Sequence, residues 1–287
     1  MRYLLVATGL IASACAAFGA ELELPTLRGG SDTFVPAAPV VSWRWDGFYF
    51  GGQAGYGIAS HNFDTTTQDL VAHELRQLAL ERVAHVSTWD VLGKGDTRSQ
   101  SYGGFFGYNI GWEGVIMGLE FNFSRTNFFK DAPTTPISIR TAAGGNTYDV
   151  TLTGSASIHI TDMATLRARA GFEYGNFLPY AMIGVAAGRA DVARSATVSG
   201  LQNPTPPPNP NSCDPLATPP CVPFIFTETD SRSGAFIYGW AIGGGLEMML
   251  MPNVFVRGEY EYVGFAPIWG IKTAVNTARV GLGFKFW

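Results

Sequence analysis

Residues 277–286 have the sequence TARVGLGFKF, in which apolar side chains alternate with small or charged ones. A period of two residues is typical of a β-strand whose two faces meet different surroundings. A soluble β-sandwich would also alternate, but its water-facing surface would not be so rich in glycine. The pattern therefore predicts that the apolar face contacts lipid and that the glycine-rich face lines a narrow barrel interior.

The same alternation recurs in seven earlier segments of about ten residues. They are Phe48–Ala59, Tyr102–Trp112, Val115–Ser124, Ile158–Tyr174, Tyr180–Arg189, Phe236–Met248 and Val254–Tyr262. The connections between segments alternate in length, and the long ones cover about 60–101, 125–157, 190–234 and 263–276. Outer-membrane barrels have this asymmetry between tight periplasmic turns and long external loops. We therefore expect an all-β fold, an eight-stranded antiparallel transmembrane β-barrel with long extracellular loops.

The composition excludes several other classes of protein. Only 15% of residues are charged, whereas a soluble domain has roughly a quarter. After residue 20 the chain has no apolar run of the length that a membrane-spanning helix needs. The formal net charge is −4 without a basic stretch, so we expect no nucleic-acid partner.

The first twenty residues predict a cleaved signal peptide. Arg2 is followed by an apolar stretch and then by small residues that allow cleavage after Ala17 or Ala20. The alternative is a degenerate lipobox that ends at Cys15. We expect a flexible periplasmic segment at 21–44 and the barrel at 45–287, located in the Gram-negative cell outer membrane.

Two cysteines remain after the signal peptide, Cys213 and Cys221, within a proline-rich part of the third long loop. An even pair in an exported protein predicts a local disulfide. No His or further Cys lies near this pair in the sequence, which argues against a zinc site. We expect neither a metal nor a required cofactor.

The faces assigned to the lumen carry ten charged residues with balanced signs. They are Glu120, Arg167, Arg169, Glu173, Glu247, Arg257, Glu259, Glu261, Arg279 and Lys285. An eight-stranded barrel is only just wide enough for its own side chains, and unpaired buried charges are costly. We therefore expect an ion-pair network that plugs the lumen, with a narrow conduction pathway as the alternative.

Several motifs resemble the small outer-membrane β-barrel surface antigens of alphaproteobacteria. They are WDGFYFGG at 45–52 followed by Gly55 and Tyr56, LRARAGF at 166–172 followed by Leu178-Pro179-Tyr180, GWAIGGGLE at 239–247, and VGLGFKF at 280–286. The resemblance covers about residues 45–287 except the long loops.

This resemblance implies an OmpA-like barrel in a family often called porin-like, some members of which bind hemin. It also implies assembly by the barrel-assembly machinery, guided by the aromatic closing strand. The residues of this insertion signal alternate along the apolar face of the closing strand and are Val280, Leu282, Phe284 and Phe286. Trp287 departs from the family pattern, because it is an extra residue out of phase with that set.

Two groups of residues are candidate sites for chemistry, and each also has a simpler interpretation. His61, His73 and His85 lie in or near a helix-like stretch of loop one, Leu70–Val86, and could hold heme or a metal. The simpler interpretation is a solvated loop helix with incidental histidines. Ser157 and His159 share one strand face and could serve a lipid A-modifying enzyme, but the sequence supplies no third orienting residue.

The sequence thus predicts a non-enzymatic, surface-exposed outer-membrane barrel that acts through its loops. The alternative is a narrow porin-like channel or a barrel that binds hemin or another ligand. The expected partners are outer-membrane lipid and lipopolysaccharide, the barrel-assembly machinery, and a host or environmental ligand contacted by the loops.

Overall fold

The computed structural model describes residues 43–144, 146–203 and 221–286. Two short α-helices and one 3₁₀ turn interrupt a fold that is otherwise made of strands. The elements are β1 (Gly47–Asn62), α1 (Gln68–Leu75), α2 (Ala79–Ala84), the 3₁₀ turn (Val86–Thr88), β2 (Lys94–Trp112), β3 (Val115–Asp131), β4 (Ile137–Ala143), β5 (Asn146–Phe172), β6 (Phe177–Asn203), β7 (Val222–Met251), β8 (Val254–Ile268) and β9 (Ile271–Phe286).

Eight of these strands close into a ring in which every neighbouring pair is antiparallel. The order around the ring is β1, β2, β3, β5, β6, β7, β8 and β9, and β9 returns to β1. Phe286 lies opposite Phe48 and Phe284 lies opposite Phe50 where the ring closes. Closure leaves no sheet edge in contact with lipid, which a membrane barrel requires. The predicted eight-stranded antiparallel barrel is confirmed.

The ninth strand, β4, prolongs the wall next to β5. The pairing of β3 with β5 ends at Asp131 and Ser157, and β4 then takes over, with Ile137 opposite Leu152. The strands β5, β6 and β7 have 27, 27 and 30 residues. A membrane crossing needs about 9–11 residues, so more than half of each of these strands projects beyond the bilayer.

The predicted long loops are therefore partly wrong. Most of 125–157 and the described ends of 190–234 are strands, and in place of a loop at 263–276 a two-residue turn joins β8 to β9. Both residues of that turn, Trp269 and Gly270, have positive φ, 49° and 80°. This is the left-handed geometry of a type I′ hairpin turn. Tryptophan is an unusual first residue for such a turn, so its sequence signal is weak.

The outward side chains mark where the bilayer ends. On β5 they are alanine, leucine and phenylalanine from Ala164 to Phe172, and threonine and serine from Thr151 to Ser157. The change falls at Asp162, which lies opposite Arg189 of β6. On β1 the apolar outward face runs from Phe48 to Ile58, a length that matches one crossing.

Some of the predictions fall outside the described residues. These include the signal peptide, the lipobox cysteine Cys15, residues 21–42 of the N-terminal segment, and Trp287. Among the described residues, no helix has the length and apolar character needed to cross a bilayer.

Candidate functional site

The periplasmic end of the lumen is closed by an aromatic layer. Trp45, Tyr49, Phe105 and Phe255 are buried together with Ile116, Leu178 and Met249. The Trp45 indole donates to the carbonyl of Gly175 at 3.2 Å, and Asn109 Nδ2 donates to the Trp45 carbonyl at 3.0 Å. The residues just before β1 therefore fold inward as part of the seal.

Glycines opposite this layer make room for its rings. A Cβ atom on Gly51 would lie 2.2 Å from Phe105 Cζ, and one on Gly283 would lie 2.2 Å from Phe255 Cζ. Both separations are far below van der Waals contact. The glycine-rich faces of the sequence are thus explained by rings that lie directly on the wall of a narrow barrel.

Above the aromatic layer lies a charge layer at membrane level. Five strands contribute four arginines and four glutamates, so the signs cancel. These are Glu120 of β3, Arg167 and Arg169 of β5, Glu247 of β7, Arg257, Glu259 and Glu261 of β8, and Arg279 of β9, all buried. The structure therefore brings together eight of the ten charged residues assigned to the lumen.

Arg167 is the centre of this layer. Its Nη1 atom donates to Glu259 at 2.8 Å and to Glu261 at 2.7 Å, and its Nη2 atom donates to Glu120. The side chain of Arg167 is only 1% exposed. Each carboxylate of the layer faces at least one guanidinium, so every buried charge has an opposite charge beside it.

The other arginines extend the network across the lumen. Arg257 Nη1 lies 2.7 Å from Glu120, Arg169 Nη1 lies 2.7 Å from Glu247, and Arg279 Nη2 lies 2.7 Å from Glu259. Neutral side chains complete it: Gln53, Asn122, Tyr49 and Tyr180 all accept from or donate to these charges.

Two of the predicted lumen charges lie elsewhere. Glu173 is exposed in the turn after β5, because that strand ends at Phe172, before the predicted end at Tyr174. Its assignment to the lumen network was wrong. Lys285 is buried but lies in the periplasmic layer, where it donates to the Trp45 carbonyl and its Nζ is 5.0 Å from the centroid of the Trp45 ring system.

The outer mouth is filled by loop one, residues 63–93, which we call the plug. Its apolar side chains are almost completely buried against the inner faces of the extended strands. They are Phe63, Leu70, Val71, Leu75, Leu80, Val86, Val91 and Leu92. The interpretation of loop one as a solvated helix was therefore wrong: two short helices pack their apolar sides into the mouth, while Leu78 and Val83 remain exposed.

Arg194 of β6 attaches the plug to the wall, and sequence reasoning missed it. Its guanidinium donates to Asp69 of α1 at 2.7 and 2.9 Å, to the Thr66 carbonyl at 2.9 Å, and to Asp230 of β7 at 2.8 Å. Arg194 falls within the predicted loop 190–234. The period-two pattern that continues from Ala190 through Val198 could have identified it as an inward residue.

The space left inside the charge layer is small. One cavity of about 10 Å³ is lined by Ser101, Thr165, Glu261 and Arg279 among others, which is about the space of a single water molecule. Among the described residues, the aromatic layer occupies the periplasmic end of the lumen, the charge layer its middle and the plug its outer mouth.

The three loop-one histidines have different surroundings. His61 is a buried wall residue whose Nδ1 lies 3.0 Å from Thr273 Oγ1. His85 is an exposed left-handed residue after α2. His73, Glu74 and Glu228 place potential metal-ligand atoms within 4.8 Å of one another. His73 Nδ1 lies 3.3 Å from Glu228, so this contact joins α1 to β7.

The Ser157 and His159 pair does not form a nucleophile and base. His159 Nε2 lies 2.6 Å from the Asn127 side chain, and Nδ1 lies 4.0 Å from Asp191. Both ring nitrogens therefore face other residues, and no hydrogen bond joins His159 to Ser157 within the described part of the chain. Cys221 is disulfide-bonded; its predicted partner, Cys213, lies outside the described residues.

Comparison with solved structures finds distant likenesses. Ail, the attachment invasion locus protein of Yersinia pestis, is 14% identical over 84% of this chain and 99% of its own, with a TM-score of 0.35. Neisserial surface protein A is 12% identical over 83% of this chain and 97% of its own, with a TM-score of 0.38. These likenesses are too distant to support an argument about function.

The sequence comparisons identify the family. A 25 kDa outer-membrane immunogenic protein of Brucella ovis is 41% identical over 51 residues, which are 18% of this chain. The match spans 23% of that relative, less than a quarter of its length. The profile described as outer membrane protein beta-barrel domain matches residues 33–286. The chain therefore belongs to this family of Gram-negative outer-membrane β-barrel proteins.

Proposed function

We propose that the protein is a sealed, surface-exposed barrel that acts through the structure it projects outside the membrane, and that it is neither a channel nor an enzyme. The observation that carries this proposal is the filled lumen. Aromatic rings occupy the periplasmic end, eight paired charges occupy the middle, and the plug occupies the mouth.

The projecting wall supplies the surface for interactions. Its outward side chains on β5, β6 and β7 are largely serine and threonine, and some of them pair across strands, as Thr197 does with Thr227 at 3.0 Å. Such a polar sheet face is suited to contact with host or environmental ligands. The Brucella relative, which is described as immunogenic, supports exposure of this kind at the cell surface.

Planar-bilayer recording of the refolded protein tests the seal. Heat-modifiable gel mobility first confirms that the protein is folded. We expect no stable conductance steps, either for the native protein or for a variant in which residues 66–90 are replaced by a Gly-Ser linker. The linker variant should stay silent because the charge layer lies below the plug.

Conductance steps in the native protein would support the channel alternative instead. Steps that appear only in the linker variant would mean that the plug is the gate and that the charge layer passes ions. An unrelated open porin, inserted under the same conditions, is the control for detection.

Hemin binding is a second candidate function, because the His73 imidazole is exposed at the surface and imidazole is a common ligand of iron. Titration with hemin, followed by absorbance, compares the native protein with His73→Ala and with His85→Ala as the matched exposed control. Loss of binding in His73→Ala alone would support this role. Equal binding in all three proteins would exclude both histidines as hemin ligands.

We infer that assembly depends on the closing strand. Val280, Leu282, Phe284 and Phe286 are exposed outward on β9, and the Phe286 ring stacks on Phe50 of β1 with 5.5 Å between centroids. These four side chains form an exposed row along β9, which the barrel-assembly machinery would bind before the barrel closes. Phe286→Ser should slow insertion in cells more than Phe236→Ser, which removes an even more exposed aromatic on β7.

A further inference from the structure

A trough crosses the outside of the barrel from β7 to β2. Its floor consists of three small residues in register: Gly264 lies opposite Ala274, and Ala274 lies opposite Ser60. Trp240 and Tyr262 border it on one side. Because these small side chains lie in a row between larger ones, the outer surface of the wall is concave there, with a cavity of about 560 Å³.

The trough lies at the outer edge of the bilayer. The apolar outward face of β1 ends at Ile58, and Ser60 is the next outward residue. The trough is therefore at the level of lipid headgroups. The Trp240 and Tyr262 rings, with centroids 5.2 Å apart, belong to the aromatic belt that outer-membrane barrels place at this interface.

Three cations lie in or near the trough. Lys272 and Lys94 lie on either side of Asn62, opposite that residue in neighbouring strands, and Arg98 lies opposite Ile58 one row nearer the bilayer. Two acids are also close: Asp96 lies opposite Ser60, and Asp64 is 3.7 Å from Lys94 Nζ. Among the described residues, neither Arg98 nor Lys272 has a carboxylate within ion-pair distance.

We propose that this trough binds the phosphorylated glycolipid headgroup of the outer leaflet, that is, lipopolysaccharide. Lys94, Lys272 and Arg98 would donate charge-assisted hydrogen bonds to a phosphate, and Asn62 Nδ2 would add a neutral donor. The faces of Trp240 and Tyr262 would cover the first carbons of an acyl chain. The site lies on the wall, so it does not depend on the plug or on the proposed surface function.

Native mass spectrometry of the detergent-purified protein tests this site. The protein is titrated separately with bis-phosphorylated lipid A and with dephosphorylated lipid A. We expect the native barrel to retain the phosphorylated form about tenfold better, and Lys94→Gln/Lys272→Gln to lose about that factor. The matched control, Arg76→Gln/Arg82→Gln, removes two exposed cations of the plug and should leave retention unchanged.

A second variant tests the trough itself without changing its charge. Ser60→Trp raises the floor while Lys94, Lys272 and Arg98 remain, and it should lose retention of phosphorylated lipid A to a similar extent. Equal retention of the two lipid forms by the native protein would overturn the proposal. So would native-like retention by both the double lysine variant and Ser60→Trp, with heat-modifiable mobility confirming that each is folded.

Discussion

The lumen at membrane level and the lumen at the outer mouth are both filled, but by different chemistry. At membrane level, four arginines and four glutamates project from five strands of the wall. At the mouth, the apolar side chains of a single loop fill the space. The charges belong to strands that are hydrogen-bonded into the closed ring. The plug is instead a separate loop that packs against the inner face of the wall. The charge layer should therefore open only with global unfolding, and the plug by local opening.

The strongest test of this difference is removal of the central cation. Arg167→Leu leaves Glu120, Glu259 and Glu261 without their shared guanidinium, and we expect a loss of about 3–5 kcal/mol in the free energy of unfolding, the usual cost of breaking a buried ion pair. Urea titration followed by gel mobility in lipid vesicles measures it. Arg140→Leu, in the exposed pair with Asp149, is the control. A loss no larger than that of the control would mean that the charge layer is not closely coupled.

A smaller and more local effect is expected in the plug. Leu75→Ala removes a completely buried side chain and should cost about 2–3 kcal/mol, in the lower part of the range for such truncations. The loss should appear as faster proteolysis and hydrogen exchange of residues 66–90, with the urea midpoint of the barrel unchanged. Leu78→Ala, on the same loop but exposed, should change neither. Global destabilisation by Leu75→Ala would show that plug and wall unfold together.

The attachment of the plug can be weakened without creating a cavity. Arg194→Gln removes the ion pairs to Asp69 and Asp230, whose side chains are 64% and 39% exposed. Because solvent screens these partners, we expect a loss of only about 1–2 kcal/mol, again confined to the plug. Limited proteolysis measures the change, and Arg82→Gln serves as a charge-matched control. Unchanged cleavage would assign the attachment to apolar packing alone.

The smallest effect concerns the top of the projecting wall. Two hydrogen bonds from Arg140, at 2.5 and 2.9 Å, lower the pKa of Asp149 below its ordinary value of 3.8. Since the folded state prefers the ionised carboxylate, this contribution is present above about pH 4 and is lost as the pH falls through the lowered pKa. Hydrogen exchange of the β4–β5 hairpin should increase there in the native protein and much less in Asp149→Asn. The same increase in both would place its cause elsewhere.

The strands that were predicted correctly are those in which each face contacts one kind of surroundings along its whole length. From Val280 to Phe286 lipid lies on one side and the crowded lumen on the other, so the alternation is unambiguous. The projecting strands are harder to recognise, because water meets their outward serines and threonines while the plug covers their inward residues. Arg194 interrupts the apolar inward face of β6, which weakens the strand pattern within the predicted loop 190–234.

The sequence by itself determined the eight-stranded barrel, its location and most of its lumen charges, because a period of two residues is a local property that any crossing strand must show. Tertiary structure decided what the local pattern cannot contain. It decided that Arg167 meets three glutamates from two other strands, that loop one folds into the mouth, and that Gly264, Ala274 and Ser60 align into a trough. Each of these depends on the register between strands and on contacts between residues far apart in the chain, and neither is encoded within a single segment.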